Sequence, residues 1–120
     1  FFSNTNFTGY GLSSTMCSPT VCRSAFWNTP LLTCDIGHWD MTNCVEFLDM
    51  FKYSTLNDND YRNILTGWTG WNGTNATKTL NSNKSCNFQN ARCEIGGQSE
   101  DVRNYLINIL GWTITDGGGI

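Results

Sequence analysis

A helix that runs into a glycine and then a tryptophan, near the end of the chain, constrains the fold most. The apolar residues of positions 99–110 recur every three or four residues, as in a helix that buries one face. Ser99 is the expected N-cap, and Gly111 stands where a left-handed residue ends a helix. The alternating residues 112–115 then predict a short strand. The chain therefore closes with a helix-and-strand unit that needs a core to dock against.

A similar unit stands in the middle of the chain. The Asn and Asp side chains of residues 57–60 can cap a helix, which we expect Gly67 to end. Trp68 follows, and we expect it to dock in the core as Trp112 does. Residues 72–83 are rich in Asn and Thr and predict an exposed loop, whereas residues 85–93 predict another strand.

A weak repeat occupies the first half of the chain. Residues 2–5 match residues 26–29, and a third aromatic stretch begins at Phe51, which gives intervals of 24 and 25 residues. These intervals lie in the range of leucine-rich repeats. A repeat of this size cannot bury its own apolar face, so it must stack on neighbours. Two repeats are fewer than the three or so that such stacks need, so we expect further repeats upstream.

Composition excludes several classes of partner. With 14% charged residues and a net charge of −3, the chain offers no basic stripe to a nucleic acid. No apolar run approaches the roughly 20 residues of a membrane-spanning helix. With one histidine and no paired catalytic carboxylates, the sequence predicts neither an enzyme nor a bound cofactor.

Six cysteines predict disulfides in an oxidising compartment, because their even number comes with no CxxC spacing. Short separations favour the pairs Cys17–Cys22 and Cys86–Cys93, which leaves Cys34 with Cys44. Stacked repeats would also bring Cys17 or Cys22 near Cys44. The alternative is that several are buried thiols that act as small apolar side chains.

Two groups of charged residues are candidates for acid–base chemistry and for a calcium site. His38 lies near Asp35 and Asp40, but no nucleophile motif accompanies them, so a structural or surface role is favoured. Asp58 and Asp60 resemble part of a calcium loop that lacks its Gly and its distal Glu, so helix capping is favoured over a metal site.

Several residues are candidates for a surface role. Trp71 beside Asn/Thr-rich sequence is a candidate sugar-stacking platform, and we expect Trp27 to be exposed and to be an interface residue. Phe1, Phe2 and Phe7 would lie at a junction with upstream repeats or another subunit.

Four Asn-x-Ser/Thr sequons are candidate glycosylation sites, although a chain this rich in Asn, Ser and Thr holds about as many by chance. They begin at Asn6, Asn72, Asn75 and Asn83.

Three stretches together resemble one known family. Residues 39–51 read WDMTNCVEFLDMF and resemble the repeat signature W-D-[VM]-[ST]-N-V-x-x-[MF]-x-x-M-F of BspA-like leucine-rich-repeat surface proteins, with Cys44 in place of the usual Val. Residues 60–68 resemble the helix that follows the last repeat in that family. Residues 103–118 resemble its terminal R-x-x-L-x-x-x-x-G-W-T-I-T-D-G-G ending. The resemblance implies a secreted adhesion or interaction scaffold without catalytic residues.

The repeat spacing and the two closing units, together with the resemblance, predict an α+β fold. We expect a short right-handed leucine-rich-repeat-like solenoid with one strand per repeat, capped by two helices and a terminal strand. Residues 1–56 would form the repeats, and residues 57–120 the capping unit of one continuous domain.

We accordingly expect a non-catalytic extracellular or cell-surface module that serves as an adhesion or structural scaffold. Such a module could be a subunit of a surface filament. Its partners would be proteins, through self-association or upstream repeats. The alternative is a carbohydrate-binding or virion receptor-binding module, for which the partners would be glycans.

Overall fold

Two helices and two very short strands make up the regular structure of residues 2–120, the part of the chain that the computed structural model describes. The two strands pair in parallel, with Cys86 opposite Ile114. In chain order, the elements are a 3-10 turn at Leu12–Ser14, helix α1 at Asp58–Thr69, strand β1 at Ser85–Asn87, helix α2 at Gln98–Asn108 and strand β2 at Thr113–Thr115.

The predicted solenoid is wrong. It required one strand in every repeat, whereas the described residues contain two strands of three residues each, both in the second half. The protein is a compact body with extents of 37 × 30 × 25 Å and a radius of gyration of 13.0 Å. Left-handed residues interrupt the backbone of the first half, so extended strands cannot form there. The non-glycine residues with positive φ in that half are Asn4, Ser24, Asn28, Asp49 and Tyr53.

Backbone hydrogen bonds nevertheless link chain segments one period apart. We name residues 2–5 the first segment, residues 22–28 the second and residues 46–52 the third. Alternate amides of the second segment donate to carbonyls of the third over 2.8–3.0 Å, and Phe2 N–H donates to the Ala25 carbonyl over 2.7 Å. The period in the sequence therefore reflects side-by-side segments joined by separate hydrogen bonds rather than by strand ladders.

Helix α1 begins where the sequence predicted it but ends later. The side chain of Asn57 caps it by accepting the Asp60 N–H over 2.8 Å. The prediction that Gly67 ends the helix is wrong, because the helix continues to Thr69. A Cβ at Gly67 would lie 2.2 Å from the carbonyl oxygen of Gly37. Gly67 therefore permits a close approach of helix and loop instead of terminating the helix.

Helix α2 begins one residue before the predicted N-cap. Ser99 lies within its first turn, and its hydroxyl accepts a backbone N–H. Val102 and Leu106 are buried as predicted, but Ile109 is 71% exposed, so the buried face is shorter than expected. Gly111 has the predicted left-handed conformation, with φ of 70°.

Trp68, within the last turn of α1, and Trp112, after α2, both dock in the core, as the sequence predicted. The indole N–H of Trp68 donates to the Ile36 carbonyl over 3.1 Å, and that of Trp112 donates to the Asn81 carbonyl over 2.8 Å. Phe47 lies between them, with its ring centroid 5.7 Å from Trp68 and 4.7 Å from Trp112. One hydrophobic cluster thus runs through residues of both 1–56 and 57–120.

Candidate interaction surface

A column of stacked phenylalanine rings crosses the molecule and ends at a partly exposed pair. Phe26 stacks on Phe51 at 5.5 Å, and Phe51 stacks on Phe88 at 5.5 Å, so the middle of the column is fully buried. At one end Phe2 lies 5.6 Å from Phe26 and 4.2 Å from Phe7. Phe2 and Phe7 are half-buried, and we call them the aromatic end.

The aromatic end collects two of the predicted interface residues, Phe2 and Phe7. Phe1 lies outside the described residues. The amides of the first segment donate towards the second segment, from Phe2 to Ala25 and from Asn4 over 2.9 Å to Trp27. The other side of the first segment therefore faces away from the body of the molecule.

Trp27 lies elsewhere on the surface, in an aromatic pair that the sequence did not predict. It is half-buried rather than fully exposed, and its ring meets Tyr53 edge-on at 5.6 Å. Tyr53 is 59% exposed, and the ammonium of Lys52 lies 5.3 Å from its ring. The 24- to 25-residue period was the signal that could have paired them, because it places Tyr53 beside the second segment.

Hydrogen bonds join the segments in the order first, second, third, β1 and β2, which we call the segment order. Strand β2 ends this order, and its outer edge is open. The Thr113 N–H donates to Lys84 over 2.8 Å, and the Thr115 carbonyl accepts from Phe88 over 2.7 Å. Because alternate residues of a strand direct their backbone groups to opposite sides, those of Ile114 point away from β1. In the described part of the chain β1 is the sheet neighbour of β2, so this outer edge is free for pairing.

Trp71, the candidate sugar platform, is half-buried against Tyr105, with ring centroids 5.9 Å apart. Its indole nitrogen is buried and, among the described residues, has no hydrogen-bond partner. The side-chain oxygen of Asn72 next to it accepts bonds from the Thr74 N–H and hydroxyl and from the Asn75 N–H. The ring is thus only partly available to a ligand, beside an ordered polar turn.

All four sequon asparagines are exposed, as expected of residues in loops. Asn72 and Asn75 lie in the turn beside Trp71, and Asn83 precedes β1 with a left-handed φ of 59°. Asn6 immediately precedes Phe7 of the aromatic end in the sequence. Exposure leaves every one of these sites open to modification.

All six cysteines are thiols in the structure; Cys17 is half-buried and the other five are buried. The thiols of Cys22 and Cys44 share a hydrogen bond, which raises the pKa of Cys22 and lowers the pKa of Cys44. Burial, and the charge of the Cys44 thiol, raise the pKa of Cys86. The sulfur contact that the structure brings about is therefore between Cys22 and Cys44, which the sequence did not favour as a pair.

The remaining cysteines have other neighbours. Burial, with the nearby Asp60 carboxylate, raises the pKa of Cys34. The Cys93 thiol donates to the Gly118 carbonyl over 3.5 Å. Disulfide formation itself stays a prediction.

The candidate acid–base residues are engaged in local structure. The His38 ring contacts the Thr15 carbonyl. The side chain of Asp40 accepts the N–H and the hydroxyl of Thr42, which lowers the pKa of Asp40. Asp35 is exposed. The arrangement supports the structural role favoured for His38.

The two aspartates of the possible calcium loop bind protein donors. Asp58 accepts the Arg92 backbone N–H over 2.8 Å and its guanidinium over 2.9 Å. Asp60 accepts the Cys34 N–H over 2.6 Å and the Asn57 amide over 2.8 Å. Their oxygens thus fasten helix α1 to neighbouring loops, whereas the cap of the helix is Asn57.

A buried polar cluster that the sequence did not reveal joins both helices to the chain end. The Tyr61 hydroxyl donates to Asp116 over 2.5 Å, and Arg103 binds both oxygens of Asp116 over 2.7 and 3.2 Å. Burial and this hydrogen bond raise the pKa of Tyr61 well above its usual range. The Asp116 side chain is 3% exposed, so the cluster is structural rather than a site for a ligand.

Neither helix in the described part of the chain has the length and apolar run needed to cross a bilayer. Comparison with protein-family models, with curated proteins and with solved structures finds no match to this chain. The function must therefore be argued from the surface itself and from the resemblance to BspA-like surface proteins, which stays a hypothesis.

Proposed function

We propose that this protein is a non-catalytic interaction module that associates with copies of itself end to end. One observation carries the proposal: two different unsatisfied surfaces lie at opposite ends of the segment order. At one end is the half-exposed aromatic pair of Phe2 and Phe7, and at the other is the open edge of β2. An apolar surface and a free strand edge are the features through which chains associate.

The order of the segments makes the two ends complementary. The second segment bonds to the first and the third, Phe51 of the third donates to Asn87 of β1, and β1 pairs with β2. The first, second and third segments run parallel to one another, as do β1 and β2, so we propose that the first segment of one copy lies on β2 of the next in a parallel pairing. Such a contact joins two unlike surfaces, and repeated contacts of this kind build open filaments instead of closed dimers.

The proposed location is extracellular or at a cell surface. Its support is the low content of charged residues, the six cysteines and the resemblance to BspA-like surface proteins, whose scaffold role agrees with a non-catalytic module.

Two variants test the association, one for each end. Phe2→Asp places a charge on the aromatic end, and Ile114→Pro removes the outward N–H of β2, a change that edge strands tolerate. We expect each to weaken self-association about tenfold or more, which corresponds to about 1.4 kcal/mol. Sedimentation velocity at the highest soluble concentration is the measurement, with thermal unfolding to verify that each variant is folded.

Matched controls separate the interface from general effects. Ile109→Asp adds the same charge at a residue that is 71% exposed on α2. Ile114→Ala trims the side chain but keeps the N–H. A mixture of the Phe2→Asp and Ile114→Pro proteins retains one intact surface of each kind, so it should form dimers and stop there. A wild-type protein that stays monomeric, or variants that associate as it does, would overturn the proposal.

The half-exposed face of Trp71 beside the polar turn favours a second candidate function, binding of carbohydrate. A glycan array with wild type and Trp71→Ala tests it, with Trp27→Ala as the control for another half-buried tryptophan. Reproducible binding that only Trp71→Ala abolishes would support this function, and an array without signal would reject it.

A further inference from the structure

The three cysteines Cys22, Cys44 and Cys86 bring their sulfurs together in the core. Each is 2% exposed or less, and they come from the second segment, the entry to the third segment and β1. The Cys22 and Cys44 thiols share a hydrogen bond, and Cys86 interacts electrostatically with both. Residues far apart in sequence thus supply neighbouring thiols.

Backbone hydrogen bonds join the two stretches of chain that carry Cys22 and Cys44. The Cys22 N–H donates to the Glu46 carbonyl and the Val45 N–H donates to the Thr20 carbonyl, both over 2.8 Å. Val21 and Glu46 form a parallel bridge between the same two stretches. In this register Phe47 lies opposite Cys22, so the backbone brings the two stretches together and the Cys44 side chain reaches back to the thiol and the N–H of Cys22. The Cys44 thiol also lies 3.4 Å from the Glu46 carbonyl, which directs it towards Cys22.

We propose that Cys22 and Cys44 are the pair that forms a disulfide when the chain folds under oxidising conditions. This inference does not depend on end-to-end association. It replaces the sequence-based preference for Cys17–Cys22 and Cys34–Cys44, because spatial neighbours and not sequence neighbours decide which sulfurs meet.

A low-molecular-weight disulfide such as oxidised glutathione supplies the oxidant. One cysteine thiolate attacks a sulfur of that disulfide and releases one small thiolate. The second cysteine thiolate then attacks the protein sulfur of the mixed disulfide, which forms the Cys22–Cys44 bond and releases the second small thiolate. Two protein thiols lose two protons and two electrons, and one small disulfide becomes two thiols. Because both cysteines are buried, we expect the exchange while the chain is folding.

Refolding in a glutathione redox buffer, followed by alkylation and intact mass, counts the thiols that remain. We expect two fewer alkylated cysteines than in reduced protein. Trypsin cuts after Arg23, so Cys22 leaves in peptide 1–23 and Cys44 in peptide 24–52. The expected bond links these two peptides, whereas a Cys17–Cys22 bond would stay within peptide 1–23 and a Cys44–Cys86 bond would link peptides 24–52 and 85–92.

Single serine variants assign the linked pair. Cys22→Ser and Cys44→Ser should each abolish the link between the two peptides, and the matched control Cys34→Ser, at another buried cysteine, should retain it. We expect the oxidised wild type to melt roughly 10 °C above the reduced form. Full alkylation of the refolded wild type, or peptides joined through Cys17 or Cys86 instead, would overturn the proposal even if a serine variant failed to fold.

Discussion

At the scale of single residues, the most consequential group is the cluster of Tyr61, Arg103 and Asp116. Burying a carboxylate is costly unless its partners satisfy it, and here a guanidinium and a phenol do so. Asp116 also accepts the Gly118 N–H over 3.0 Å. Each member of the cluster satisfies another, so the loss of one leaves a buried polar group without its partner and lowers the free energy of unfolding.

Replacing Tyr61 by Phe removes the phenol from the cluster and tests its contribution to stability. We expect Tyr61→Phe to lower the free energy of unfolding by about 2 kcal/mol, because a hydrogen bond to a charged group is lost in the interior. Urea titration at neutral pH measures it. Tyr10→Phe, at a side chain that is 71% exposed, should change stability by less than about 0.5 kcal/mol. Equal effects of the two changes would contradict the role assigned to the cluster.

The same pair of proteins tests the pH dependence. The raised pKa of Tyr61 means that the folded state keeps its proton at a pH where the unfolded state, with a pKa of about 10, loses it. The stability that Tyr61 contributes is thus complete below about pH 10 and declines as the pH rises further. By pH 11 the gap between wild type and Tyr61→Phe should narrow by about 1.4 kcal/mol. A gap that stays constant or widens would argue against a buried, protonated Tyr61.

At the scale of secondary structure elements, helix α1 is positioned by the near contact of two glycines. A Cβ at Gly67 would lie 2.2 Å from the Gly37 oxygen, and a Cβ at Gly37 would lie 2.5 Å from the Asn63 oxygen. A methyl group at either position must push the helix away from the loop.

Gly67→Ala should therefore destabilise the protein although alanine is the better helix former. Propensity favours the alanine by about 1 kcal/mol, but overpacking against backbone costs more, so we expect a net loss of about 2 kcal/mol. Asn104→Ala, at an exposed position within α2, should gain about 0.5 kcal/mol instead. Chemical denaturation of both variants decides the matter, and a stabilised Gly67→Ala would show that helix and loop separate freely.

The elements also show how far sequence reasoning reaches. The start of α1 could be predicted because a cap such as Asn57 is a local signal, read over a few residues. Its end was misassigned because two glycines compete for it: Gly70, with φ of 59°, is the left-handed cap, whereas Gly67 packs against Gly37 in a loop thirty residues away. The strands of the first half were expected from periodicity alone, and left-handed residues such as Ser24 and Asp49 exclude them. Asn and Asp in a sequence indicate turns. They do not indicate that left-handed residues recur in each of the three segments and prevent strands there.

At the scale of the whole molecule, the phenylalanine column unites the two halves of the chain. Phe88 is its innermost member, because it also meets Tyr61 at 4.7 Å and Trp68 at 6.2 Å. Phe7 is the outermost and only half-buried. The column should therefore contribute stability unevenly along its length.

Truncating Phe88 and Phe7 should lower the free energy of unfolding by unequal amounts. Phe88→Ala removes a fully buried ring and should cost about 3–5 kcal/mol. Phe7→Ala should cost about half as much or less, since much of its surface is exposed already. Urea unfolding in the presence of a reductant keeps cysteine oxidation out of the comparison. Similar losses at both positions would mean that the aromatic end is packed as tightly as the core.

Most of the candidate surface also lay beyond the sequence. The sequence predicts Phe2 and Phe7 as junction residues, from the open end of the expected repeats, but it does not predict that they stack on each other and on Phe26. The Trp27–Tyr53 contact and the Cys22–Cys44 contact arise between different segments, and six cysteines allow 15 pairings that spacing cannot rank. The open edge of β2 depends on which strand lies beside it, which only the assembled fold determines.

The side-by-side hydrogen bonding of the segments has a mechanical consequence. Each segment is bonded to its immediate neighbours, and the bonds run along the direction in which the segments follow one another. A pull on the two ends of the molecule would load these junctions in series, so they would break in succession and not all at once. A covalent link between Cys22 and Cys44 would make the junction of the second and third segments inextensible. Under tension, rupture would then pass to the junctions on either side of it.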